Sequence, residues 1–169
     1  MNKKITLLLI LALFSVSTSP IIGRALTGVG AVSISFWRMF LASMILWIFS
    51  MIKPQGAISS SVNLKRTILA GILLGIHFAL FFEAIKITKI SNATFLGTLA
   101  PFFTLLIELF ILKRQYDKKV LLGLMFTLMG SLIILAYNFD MDTKYTVGNL
   151  YAILCSISIA GALMIGEKV

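Results

Sequence analysis

Apolar residues run through this chain in six continuous stretches: 5–23, 31–52, 67–87, 93–112, 120–137 and 148–166. Each is 18 to 22 residues long, and a helix rising about 1.5 Å per residue needs about 20 residues to cross the hydrocarbon of a bilayer. The pattern predicts six transmembrane helices and an all-α integral membrane protein. Strands of a transmembrane barrel would instead alternate in polarity over about ten residues. The longest polar joint, residues 53–66, has only 14 residues, which leaves no room for an extramembrane domain. Any function must sit inside the bilayer.

Composition agrees with that pattern. Of 169 residues, 59% are apolar and only 12% charged, too little charge for the surface of a soluble domain. Three prolines and a single cysteine, Cys155, exclude a low-complexity chain or a disulfide scaffold. The net charge of +9 invites nucleic acid as a partner, but the placement of the charges points elsewhere. Lys3, Lys4, Lys53, Lys65, Arg66, Lys113, Arg114, Lys118, Lys119 and Lys168 fall on one side of the predicted membrane; Arg24, Lys86, Lys89 and Lys144 fall on the other. Ten against four puts both ends of the chain in the cytoplasm of a multi-pass inner (plasma) membrane protein. No nucleic-acid partner is expected, since the charge is a topology signal. Asn2-Lys3-Lys4, the apolar run to Phe14 and the small residues Ser15-Val16-Ser17 also resemble a secretory signal. Because apolar character resumes at Ile21-Ile22-Gly23, the segment is read as a retained span.

The embedded polar residues suggest a solute path rather than catalysis. His77 is the only histidine, and Glu83 and Glu108 lie near opposite ends of successive spans, too far apart for a carboxylate dyad. No enzyme, metal site or cofactor is expected. Ser15, Ser17, Thr18 and Ser19 crowd the first span before Pro20, whose ring frees the carbonyl of Val16. Thr94 and Thr98 precede Pro101 in the fourth span in the same way. Such kinked, hydroxyl-bearing helices are tolerated where a cavity or neighbouring groups satisfy the freed carbonyls, although small residues also serve plain helix packing. The expected substrate site comprises Ser15, Ser17, Thr18, His77, Thr94 and Thr98, with Trp37 as a stacking wall. Arg38 and Glu83 lie at similar depth on sequential spans and are expected to pair. The alternatives are that Arg38 snorkels outward while Glu83 pairs with Lys86, or that Arg38 meets an anionic substrate group.

Several runs resemble one family. Ser35-Phe36-Trp37-Arg38-Met39-Phe40-Leu41-Ala42 is similar to the arginine-bearing second helix of the EamA family, in the drug/metabolite transporter superfamily. The runs from Gly75 to Thr88, Ser91-Asn92-Ala93 and Leu99-Ala100-Pro101-Phe102-Phe103-Thr104 resemble its third and fourth helices; Gly123 and Gly130 fit its fifth. Gly148-Asn149-Leu150 resembles the opening of its second repeat. The resemblance implies a transporter, most often an exporter, of small metabolites, amino acids or drugs. Its fold would be ten helices in two inverted five-helix halves, working by alternating access. On that reading residues 1–137 form the first repeat and 148–169 the first helix of a second. A second half-transporter or a second copy is then the expected partner, beside the bilayer and a small-molecule substrate. The competing reading is a non-transporting membrane subunit or an inactive truncated fragment. Two departures bear on substrate type: Lys113-Arg114 stands where the family commonly has Gly-Glu, and the Ser15–Ser19 cluster replaces an aromatic in the first helix.

Overall fold

The computed structural model describes residues 3–53, 60–138 and 143–169. Asn2, in the signal-like start, lies outside them, as do the side chains of Lys3, Lys4 and Lys144. The described residues are all-α: α1 (Lys3–Ala25), α2 (Ala31–Ile52), α3 (Ser61–Ile87), α4 (Ile90–Gly97), α5 (Ala100–Phe110), α6 (Lys118–Asn138) and α7 (Thr143–Gly166). Helices α1, α2, α3 and α7 are each long and apolar enough to cross a membrane, and α4 with α5 together make a fifth crossing, Ile90–Phe110. The 21-residue α6 covers the predicted fifth segment, so the six expected paths are all helical.

Two helix starts move outward by five or more residues for a physical reason. α3 begins at Ser61 rather than Thr67, and α7 at Thr143 rather than Gly148. An apolar run reports only what lies in hydrocarbon, whereas backbone hydrogen bonding continues into the polar interface until something stops it. The fourth segment is a correction of a different kind. It is two helices, not one kinked helix, with the break at Thr98–Leu99. There the ladder tightens: Thr98 N–H reaches the carbonyls of Thr94 (3.1 Å) and Phe95 (3.0 Å), and Leu99 N–H that of Leu96 (3.3 Å). Pro101 then falls in the first turn of α5, where a missing N–H is harmless.

α3 is the axis of the bundle. α7 lies along it and also touches α4 and α5, while α1 and α2 lean on α3. Half of the most apolar stretch of α7 is buried, whereas almost none of that of α1 or α2 is. Small buried residues, among them Ala84, Ala93, Ala152, Ser156 and Ala160, let these backbones approach closely, as membrane helices without a hydrophobic driving force must. Phe82 and Ile85 fill the remaining volume. The exposed residues of α1 and α2, such as Phe14, Ile45 and Leu46, are large and apolar, which suits surfaces that meet lipid.

Candidate functional site

A cavity of about 730 Å³ lies among α1, α2, α3 and α4, toward the end of the bundle that carries the α1–α2 and α3–α4 turns. Pro20 and the hydroxyls of Ser17 and Ser19 enter from α1, Arg38 from α2, and His77, Phe78 and Phe81 from α3. Ser91, Thr94 and Phe95 enter from α4, and the floor is the helix break at Gly97 and Thr98. The break matters locally, because a continuous helix would carry this wall straight past the cavity.

Of the residues singled out from sequence, Ser17, Pro20, Arg38, His77, Thr94 and Thr98 share this cavity. Ser15 and Thr18 instead line a smaller space of about 280 Å³ on the other side of Arg38. Thr18 spends its hydroxyl on the carbonyls of Phe14 and Ser15, both at 3.1 Å. Trp37 is not a wall of the cavity. It is 57% exposed and packs edge-on against Phe36 and Phe40 on its own helix. Phe78 and Phe81 hold the stacking positions. Phe81 stands four residues after His77 and three after Phe78, spacings that bring side chains together on a helix surface. Pro101 borders a third space of about 430 Å³ with Glu108 and Tyr116.

The expected Arg38–Glu83 ion pair does not form. Arg38 Nη1 donates to Ser19 Oγ, and the guanidinium lies over the Phe78 ring at 4.4 Å and near Phe82 at 5.9 Å. Glu83 faces outward, exposed. Lys86, its alternative partner, donates to the carbonyl of Val29. Phe78 and Phe82, four residues apart, present one face of α3, and Glu83 is rotated about 140° from Phe78 around the helix. A cation near mid-membrane costs on the order of 2.5–3.5 kcal/mol on insertion scales, and a desolvated cation–π contact returns about 2 kcal/mol of that. Among the described residues no carboxylate lies within ion-pair distance of Arg38.

His77 and Thr94 supply the neutral polar groups. His77 Nδ1 lies 3.0 Å from the carbonyl of Cys155 and 3.1 Å from its sulfur. A carbonyl only accepts, so Nδ1 is assigned the proton and Nε2 is left as an acceptor. Thr94 Oγ1 is buried with no hydrogen-bond partner, while Thr98 Oγ1 donates to the carbonyl of Phe95 at 2.7 Å. Among the described residues no group of three or more metal-ligating side chains gathers.

The opposite end of the bundle carries a charged network. Glu108, buried near the end of α5, accepts from Arg114 Nη1 at 2.8 Å and from the Tyr116 hydroxyl. Arg114 also grips Glu167 beyond α7 at 3.1 Å, and Arg66 Nη1 donates to the carbonyl of Lys168 at 2.9 Å. Hydrogen bonding to Glu167 holds the Arg114 guanidinium above its usual range, and the bond to Glu108 pushes the Tyr116 phenol up. Sequence reasoning placed Glu108 by depth but missed this network, because its partners come from a loop and from the far end of the chain.

The family profile of EamA-like transporters matches residues 2–136. Over 162 residues, 95% of this chain, the sequence is 22% identical to the pseudopaline exporter CntI of Pseudomonas aeruginosa and covers 55% of that protein. It is 30% identical over 141 residues, 79% of this chain, to the uncharacterized transporter YyaM of Bacillus subtilis, covering 45% of it. The chain therefore spans about half the length of the curated relatives it matches. No solved structure matches.

Proposed function

The chain belongs to the EamA-like transporter family, and from that premise we propose that it carries small solutes across the inner (plasma) membrane by alternating access, most often outward. The observation that carries this reading is the cavity of about 730 Å³ set among spanning helices, with Arg38, His77 and Thr94 converging on apolar walls. Pockets of such size and make-up are the default sites of small ligands. Alternating access needs one closed end at a time, and the Glu108–Arg114–Glu167 ion pairs at the end opposite the cavity are the proposed closure. By the bias of basic residues, the network lies on the cytoplasmic side together with the amino terminus, and the cavity lies toward the outside. Relatives of about twice this length carry a further half, so a second half or a second copy is proposed to complete the carrier. Chemistry at the site would be binding and release, not catalysis.

The test is flux. The purified chain, reconstituted at protein-to-lipid ratios that populate dimers, is given a panel of labelled amino acids, organic acids and amines. At least one solute is expected to cross faster than in protein-free liposomes, and Thr94→Trp, which fills the cavity, should return that rate to background. Rates equal to protein-free liposomes throughout would leave the alternative, a non-transporting membrane subunit.

A further inference from the structure

We propose that the cavity selects anions: its solute is a small carboxylate-bearing molecule with an apolar body, bound with its carboxylate on Arg38. This rests on the cavity being the solute site of the carrier, and it adds the charge that the site recognises.

Three observations converge. First, Arg38 sits in the wall shared by the two neighbouring spaces of about 730 and 280 Å³, about 10 Å along α2 from its start. Second, its compensation is incomplete. A guanidinium carries five N–H donors, and its side-chain partners here are one hydroxyl, Ser19, and the face of Phe78. None is an anion, so its charge stands unneutralised among the described residues. A planar fork of donors matches a carboxylate in two parallel bonds, which a hydroxyl cannot supply. Third, Thr94 lines the same cavity from α4, and its Oγ1 has no hydrogen-bond partner among the described residues, an unmet polar group beside the space. The remaining wall is aromatic, with Phe81 stacked on His77 at 6.3 Å between centroids, which suits an apolar or ring-bearing body over a second charge.

A cationic solute would meet like charge at Arg38, and a neutral one would leave the cation unpaired. Both lose to a carboxylate of the same shape. The deciding comparison therefore holds shape constant and changes only charge: 3-phenylpropionate, 3-phenylpropanol and 3-phenylpropylamine. The purified full chain is titrated with each in phosphatidylcholine nanodiscs, and the apparent Kd is read from the rise in melting temperature. The anion should bind at least tenfold tighter than the amine or the alcohol, about 1.4 kcal/mol. Arg38→Gln should abolish that preference, and Arg38→Lys should retain it in weaker form. Should Arg38→Gln not fold, the three-ligand series on the unaltered chain still decides.

Equal or tighter binding of the amine or the alcohol overturns the proposal, as does an undiminished preference in Arg38→Gln. So does loss of anion binding when phosphatidylglycerol replaces phosphatidylcholine, since a lipid headgroup would then be the natural occupant of Arg38. Binding is measured without flux, which separates the two readings. An anion that binds but is not carried leaves this inference standing and sinks transport; flux confined to cations does the reverse.

Discussion

At Gly148 a methyl group would meet Thr88 Cβ at 2.7 Å and the Thr88 backbone nitrogen at 2.9 Å, so the start of α7 lies too close to the end of α3 for any side chain. Gly71, in the middle of α3, has nothing within 4 Å of the same added atom. The two glycines therefore predict opposite signs. Gly148→Ala should lower stability by about 1–3 kcal/mol, the usual range for forcing a methyl into a packed contact, while Gly71→Ala should be neutral or gain up to about 1 kcal/mol from helix propensity. Melting in a mild detergent checks both. Gly148 was legible as an opening motif but not as a contact, because its constraint comes from a residue 60 positions away. Arg38 makes the same point: hydropathy gives depth along a helix, and depth alone made Glu83 its partner. Which way a side chain points around the axis is set by how α2 turns toward α3, and that choice brought Phe78 and Ser19 to it instead. Trp37, one residue from Arg38, was displaced from the cavity for the same reason.

Among elements, the ends are more informative than the middles. All six segments were readable as helices, five of them long and apolar enough to cross a membrane among the described residues, because continuous apolar runs have one solution in a bilayer, a helix with its own backbone satisfied. The break between α4 and α5 was half readable: Pro101 and the hydroxyls before it marked the place, but not that Ser156 of α7, distant in sequence, donates its hydroxyl to the carbonyl of Leu96 just before the break. The stop of α5 carries a sharper consequence. Lys113 has a φ of 53°, in the left-handed region where a side chain costs about 1–2 kcal/mol and glycine does not. The resembling family commonly places glycine here, so the departure noted in the sequence is a backbone strain as well as a change of charge. Lys113→Gly should raise stability by about 0.5–1 kcal/mol, after allowing for the greater freedom of glycine in the unfolded chain. Lys113→Val, whose branched side chain fits that region worst, should lower it; both are read as melting shifts relative to the unaltered chain.

For the whole molecule, charge and hydropathy foretold a multi-pass bundle and the resemblance of several runs foretold a family, and together they could go no further toward the site than naming polar residues on two proline-bearing spans. What assembled those residues was tertiary. α3 and α7 form the packed spine, α1 and α2 remain largely exposed, and the space among α1 through α4 lies toward one end, while Arg114 links α5 to the residue beyond α7 at the other. The central claim is that this space is a water-reached solute site rather than a packing gap between lipid-facing helices. Its most direct test is the reactivity of two single cysteines at comparable depth, Thr94→Cys in the cavity wall and Trp37→Cys on the outer face of α2, each in a Cys155→Ala background. A membrane-impermeant maleimide is added outside intact cells. Thr94→Cys is predicted to label and to be protected by a bound solute, with Trp37→Cys inert; equal labelling at both positions, or an unreactive Thr94→Cys beside a reactive Trp37→Cys, would contradict the account.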